Sequence, residues 1–169
     1  IFSMMFGAST IMITENAERK TGTSVGLHYR RNAWLLVFGL CHAYLIWHGD
    51  ILALYAACSF LLYPMRKLSS KVLLGIGVVL LMIGSGILIL GGFSLQHWTA
   101  KELAELQAYW SPPQAAAAKE VAAFRGTLYE QFQQRAIFAW SLHKSSFFIL
   151  YLWRLCGLML IGMALYKEG

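Results

Sequence analysis

Charge is scarce in this chain of 169 residues: only 13% of it is Asp, Glu, Lys or Arg, against about 25% in a soluble domain. A water-facing surface needs charge, so the deficit, with 58% hydrophobic residues, excludes an ordinary soluble domain. Aspartate is nearly absent, Asp50 being its one occurrence. Cysteine is limited to Cys41, Cys58 and Cys156, all inside apolar runs. An odd, scattered set without ligand spacing supports neither a disulfide framework nor a metal site, and packing as small hydrophobes is their expected role. There is no phosphate-loop glycine pattern, no Gly-x-Ser-x-Gly elbow and no His/Cys metal motif. No metal and no bound cofactor is therefore expected. An initiator methionine and a signal-peptide pattern are lacking too, and the chain reads as an internal piece of a longer protein.

What remains is a series of apolar segments, at about 1–13, 33–47, 51–63, 72–94 and 136–166. Residues 72–94 carry no charge, and at 1.5 Å per residue they are long enough to cross a ~30 Å hydrocarbon core. The glycines of this run suggest close helix contacts. A net charge of +6 would suggest nucleic acid in a soluble chain, but here the cations lie between apolar segments. Membrane topology accounts for them, and no nucleic-acid partner is expected. Residues 14–32, with Arg19, Lys20, Arg30 and Arg31, and residues 64–71, with Arg66, Lys67 and Lys71, form the basic side, which an excess of Lys and Arg assigns to the cytoplasm. Residues 95–135 fall on the other side, their cations offset by Glu102, Glu105, Glu120 and Glu130. The expected fold is all-α: a polytopic transmembrane helix bundle, with 1–169 as part of one membrane domain and 95–135 as an extracytoplasmic helical connection.

That connection has internal punctuation. Thr99-Ala100-Lys101-Glu102 fits a capping box; Ser111-Pro112-Pro113 ends that helix, and Pro113 can open the next. Val121, Phe124, Leu128 and Phe132 recur at spacings of three and four, giving one apolar stripe on one helix. Such a helix either lies in the membrane interface, covers the mouth of a cavity or packs on the bundle.

The chemistry concentrates between Gly39 and Leu52, where His42, His48 and Asp50 stand in an otherwise apolar run. Ionisable groups at membrane depth are costly and carry a role by default. The segments flanking His48-Gly49-Asp50 would rise only ~22 and ~20 Å as helices, against a ~30 Å core. The turn is thus expected below the surface, in a water- or substrate-filled recess. Asp50 reads as an N-cap for the next helix, with or without a second role. His48 reads as interfacial. His42, ~9 Å deeper, is either a satisfied core histidine or a general base. On one straight helix His42 and Asp50 stand about 12 Å apart, which argues against a direct dyad. Arg154 either lies inside the membrane, suited to a phosphate or carboxylate, or pairs with another part of the protein. His143-Lys144 mark the outer boundary.

Three blocks resemble the YeiB-like family of bacterial inner-membrane proteins, a group without an assigned function: Phe2 to Ala8; Gly39 to Tyr55, with Gly-x-x-His at 39–42 and Gly49-Asp50-Ile51-Leu52; and Gly157 to Tyr166. The resemblance implies a multi-pass protein of the bacterial inner (plasma) membrane, in contact with the lipid bilayer. That family is grouped by resemblance with transmembrane acyltransferases of the heparan-glucosaminide acetyltransferase type, which use cytoplasmic acyl-CoA to modify a sugar on the far side. It implies His42 as general base or transient acyl carrier, Asp50 orienting the acceptor or a water network, and Arg154 binding an anionic part of the donor. Trp47, His48 and Tyr55 would stand beside them at the substrate. Acyl-CoA would be the co-substrate, with a glycan or lipid acceptor. The family's opening segment, with an acidic residue before Arg-Gly, and its C-terminal half are not found in this chain. Two other readings stay open: a transporter or flippase for a small amphipathic solute, and a membrane scaffold whose polar residues only cap and pack helices.

Overall fold

A computed structural model describes the backbone of residues 1–169 and every side chain except those of Ser145, Ser146 and Phe148. The elements are α1 (Phe2–Thr21), α2 (Val25–Cys41), α3 (Leu52–Leu62), α4 (Ser70–Ser94), α5 (Ala100–Trp110), α6 (Gln114–Arg125), α7 (Leu128–Ser141) and α8 (Leu152–Glu168). Wide π-helical turns extend α2 over His42–Ile46 and join α7 to α8 over Leu142–Tyr151. Among the described residues there is no strand, so the chain is all-α. Two stretches, Ser70–His97 and Ile149–Glu168, are long and apolar enough to cross a membrane.

Helix α8 is the centre of the packing, held between α1 and α4, and glycines set both contacts. Gly7 and Gly162 mark the crossing with α1: a Cβ on Gly7 would strike the Met159 carbonyl, and one on Gly162 the Met4 carbonyl. Gly77 and Gly157 face each other across α4 and α8 in the same reciprocal way, and Gly84 lies against Cβ of Trp153. Backbones this close gain dispersion contact that bulkier residues would prevent. Around these crossings Ile11, Leu54, Leu73, Met159 and Leu160 are buried in one core.

The cations gather at one end. Arg66 reaches Glu18 at 2.7 Å, Lys167 donates to the Leu68 carbonyl at 2.6 Å, and Ser70 meets Glu168. The ends of α1, α3 and α8 and the start of α4 therefore share a face. Residues 14–32, read from the sequence as a polar stretch between apolar segments, are mostly helix. Their charges ride on the ends of α1 and α2, and only residues 22–24 connect them, with Gly22 at φ 74° closing α1. A polarity shift along a helix that leaves an apolar zone looks like a connection when read linearly.

Residues 95–135 are largely helical as expected, with the Thr99–Glu102 capping box in place and α6 opening after Pro113. The single stripe from Val121 to Phe132 does not exist as one helix. Gly126 closes α6, and Thr127 with Glu130 forms a second capping box that starts α7. The Glu130 N–H donates to the Thr127 hydroxyl and the Thr127 N–H to the Glu130 carboxylate, which satisfies two free backbone donors and outweighs the apolar periodicity across the break.

Candidate functional site

At the other end of the α2–α3 hairpin, the π-helical turn closes with the Trp47 N–H donating to the His42 carbonyl at 2.8 Å. Trp47 then turns extended, at φ −152° and ψ 120°, and sends the chain back toward α2. Gly39 makes the return possible. A Cβ there would strike the Ala53 backbone nitrogen and press on Asp50 Oδ2. The consequence is that His42 and Asp50 meet. Nδ1 of His42 lies 2.9 Å from Oδ1 of Asp50, while Oδ2 accepts the Ala53 N–H at 2.9 Å. The straight-helix separation of about 12 Å is overturned because the helix widens at His42 and breaks at Trp47. The capping role expected of Asp50 is real and coexists with the histidine contact, one oxygen for each.

The Asp50 side chain is 0% exposed and that of His42 36% exposed. A buried carboxylate on Nδ1 holds the neutral ring with its proton there, leaving Nε2 as a lone-pair acceptor. The Trp47 ring stands edge-on to His42, with centroids 6.4 Å apart.

On its far side Asp50 lines a cavity of about 370 Å³, together with Ser3, Gly49, Tyr55 and Arg154. The Tyr55 hydroxyl and Ser3 Oγ are hydrogen-bonded at 2.8 Å, and Phe2 and Phe6 pack around the tyrosine ring. Asp50, Tyr55 and Arg154 thus share one wall. His42 joins them only through Asp50, and Trp47 and His48 are not on the cavity wall. His48 instead packs on Phe138 of α7, with centroids 5.0 Å apart. Arg154 has no hydrogen-bond or ion-pair partner among the described residues. Its backbone nitrogen lies 4.0 Å from where a Cβ on Gly84 of α4 would stand. That is the middle of the helix.

Several polar residues of interest were not singled out from sequence. Ser3 is one. His143, read from the sequence only as a boundary residue, stacks on Tyr44 with centroids 6.0 Å apart, and both its ring nitrogens are buried without a hydrogen-bond partner. A third group lies near the basic end, where Ser24, His28 and Asn32 recur every four residues on the buried face of α2. There the His28 ring bonds the Ser59 carbonyl and stacks on Tyr63, whose hydroxyl bonds Ser24. Burial pushes the His28 imidazole down to about 4, with the Ser59 carbonyl opposing. Glu18 is held below its ordinary value by the Ser24 hydroxyl and by Arg66. The four-residue spacing was a readable signal that the polar character of 14–32 obscured. Among the described residues no group of three His, Cys, Asp or Glu could hold a metal ion.

Comparison with known proteins follows the same lines. Over its whole length the chain is 27% identical to the uncharacterized protein YeiB of Escherichia coli K12, of which it covers 40%. Over 44% of its length it is 46% identical to the uncharacterized protein YxaH of Bacillus subtilis 168, covering 18% of that protein. Half of the chain is 33% identical to an uncharacterized 39.9 kDa protein in the amylase 3′ region of Bacillus acidopullulyticus, covering 24% of it. The chain therefore spans less than half the length of each of these relatives. These likenesses support a YeiB-like family of unassigned function. No family model and no solved structure matches the chain.

Proposed function

We propose that this chain is part of a membrane-embedded acyltransferase, multi-pass in the bacterial inner membrane, that takes an acyl group from a cytoplasmic acyl-CoA. Helices α4 and α8 are its full crossings; α2 and α3 are short passes whose turn lies at membrane depth. The observation that carries the reading is the 2.9 Å contact between His42 Nδ1 and Asp50 Oδ1. A neutral histidine held by a buried carboxylate presents Nε2 as a general base, and the carboxylate stabilises the imidazolium that forms. Nε2 takes the proton of an acceptor hydroxyl or amine as that atom attacks the thioester carbonyl. The new bond to the acyl carbon forms, the C–S bond breaks, and the coenzyme A thiolate leaves with the proton that His42 returns.

The donor's phosphates belong with the cations of the basic end, and the thioester reaches inward to the dyad. The test of donor use is thermal stabilisation of the whole protein in detergent by acyl-CoA, free coenzyme A and adenine nucleotides. The reading expects stabilisation by acyl-CoA above that by adenine nucleotides. No stabilisation by any thioester at saturation would contradict it and leave movement of an amphipathic solute through the recess as the better account.

A further inference from the structure

Arg154 poses a question of charge that the chemistry at His42 does not answer. At 1.5 Å per residue, its position beside Gly84 of α4 is about 21 Å from Ser70 and about 15 Å from Ser94. A guanidinium at that depth of a membrane is costly unless an anion or water meets it. Among the described residues no carboxylate forms an ion pair with it. Asp50 shares the cavity, but its two oxygens are taken by His42 and the Ala53 N–H. Glu15, Glu18 and Glu168 lie at the basic end, and Glu102, Glu105, Glu120 and Glu130 on the outer helices. Much of the cavity that Arg154 lines is hydrocarbon, with Leu54, Leu155 and Leu158 among its residues. Hydroxyl donors are present too, Tyr151 among them. In the hydroxyl pair of Ser3 and Tyr55 only one hydrogen is used between the two oxygens, leaving the other free on the same cavity.

From this juxtaposition we propose that the cavity binds an anionic amphiphile: a phosphate or carboxylate on the Arg154 guanidinium, with its hydrocarbon along Leu54, Leu155 and Leu158. Both properties are required. A free anion would find its charge met but would leave the apolar wall uncovered, and a neutral lipid would cover the wall but leave the cation unpaired. The donor's phosphates do not fill this role, since about 21 Å of α4 separates Arg154 from the basic end. The amphiphile is therefore the acceptor side of the site. The binding assignment rests on the membrane placement given above; only the acceptor role rests also on the transfer chemistry.

The experiment measures binding to the whole protein in neutral detergent, by native mass spectrometry, of three probes. These are a single-chain lysophosphatidate, the monoacylglycerol of the same chain length, and inorganic phosphate. The lysophosphatidate is expected to bind at least about tenfold more tightly than either of the others, the worth of one charge-assisted contact. Arg154→Gln should remove that preference. Leu158→Trp, which fills the cavity and leaves the charge, should weaken lysophosphatidate binding if Arg154→Gln does not fold. Acyl transfer measured on the same wild-type preparation separates the two readings: absent transfer with intact lysophosphatidate binding would count against the base and not against this site. Equal binding of the neutral lipid, equal binding of phosphate, or unchanged binding in Arg154→Gln or Leu158→Trp would each overturn the proposal.

Discussion

His42 Nδ1 and Asp50 Oδ1 stand 2.9 Å apart although eight residues separate them, because a widened turn and a break at Trp47 fold the chain back on Gly39. The pairing makes Asp50→Asn an informative change. The asparagine oxygen can still accept the Ala53 N–H, but its amide then turns a donor toward His42. Nδ1 must accept, the proton moves to Nε2, and the base is lost. The whole protein should insert and melt close to wild type, while acyl transfer falls by about 10²–10⁴-fold, the usual worth of a general base. Transfer at the wild-type rate in a folded Asp50→Asn protein would show that the tautomer is irrelevant.

The glycines of the crossings divide into two kinds. A Cβ on Gly162 falls on the Met4 carbonyl, whereas one on Gly86 meets nothing within 4 Å. Gly162→Ala should therefore destabilise the protein by about 1–3 kcal/mol through overpacking. Gly86→Ala should be neutral or stabilising by up to ~1 kcal/mol from helix propensity. Melting temperatures of the two variants in one detergent check this, and equal temperatures would contradict the α1–α8 crossing.

His28 gives a pH dependence with a defined sign. Its folded value, about 4, lies below the ordinary 6.5 because burial disfavours the charged ring. Between those values the unfolded chain binds a proton that the folded one does not. Its contribution to stability is complete above about 6.5, is lost as pH falls toward about 4, and changes no further below. His28→Gln should flatten this part of the profile. Thermal melting of both proteins across that range is the check, and parallel curves would show that His28 is not the titrating group.

How much of this was legible in the sequence follows from what a linear reading can see. The apolar runs around 51–63 and 72–94 became α3 and α4 because a long uncharged run has few alternatives. The Thr99–Glu102 box was readable for a similar reason, since its signal is local. The His42–Asp50 contact was not, because straight-helix arithmetic has no term for a π-helical turn. Its one local trace was Gly39, three residues before His42, which mattered for what approaches it and not for its own conformation. Arg154 and Tyr55 could be named as polar residues of interest, but their common wall with Asp50 depends on the rotation of α8, which packing on Gly77 and Gly7 decides. His28 was hidden because a buried polar face and a solvated loop have the same composition.

The central claim is that His42 is the base of an acyl transfer, and transfer itself tests it most directly. Membrane vesicles holding the whole protein, wild type or His42→Ala, are given radiolabelled acyl-CoA, and label is followed into the lipid and glycan fractions. The account predicts labelled product with the wild type and a loss of about 10²–10⁴-fold in His42→Ala at equal levels of inserted protein. Label transferred at the same rate by both proteins would contradict it.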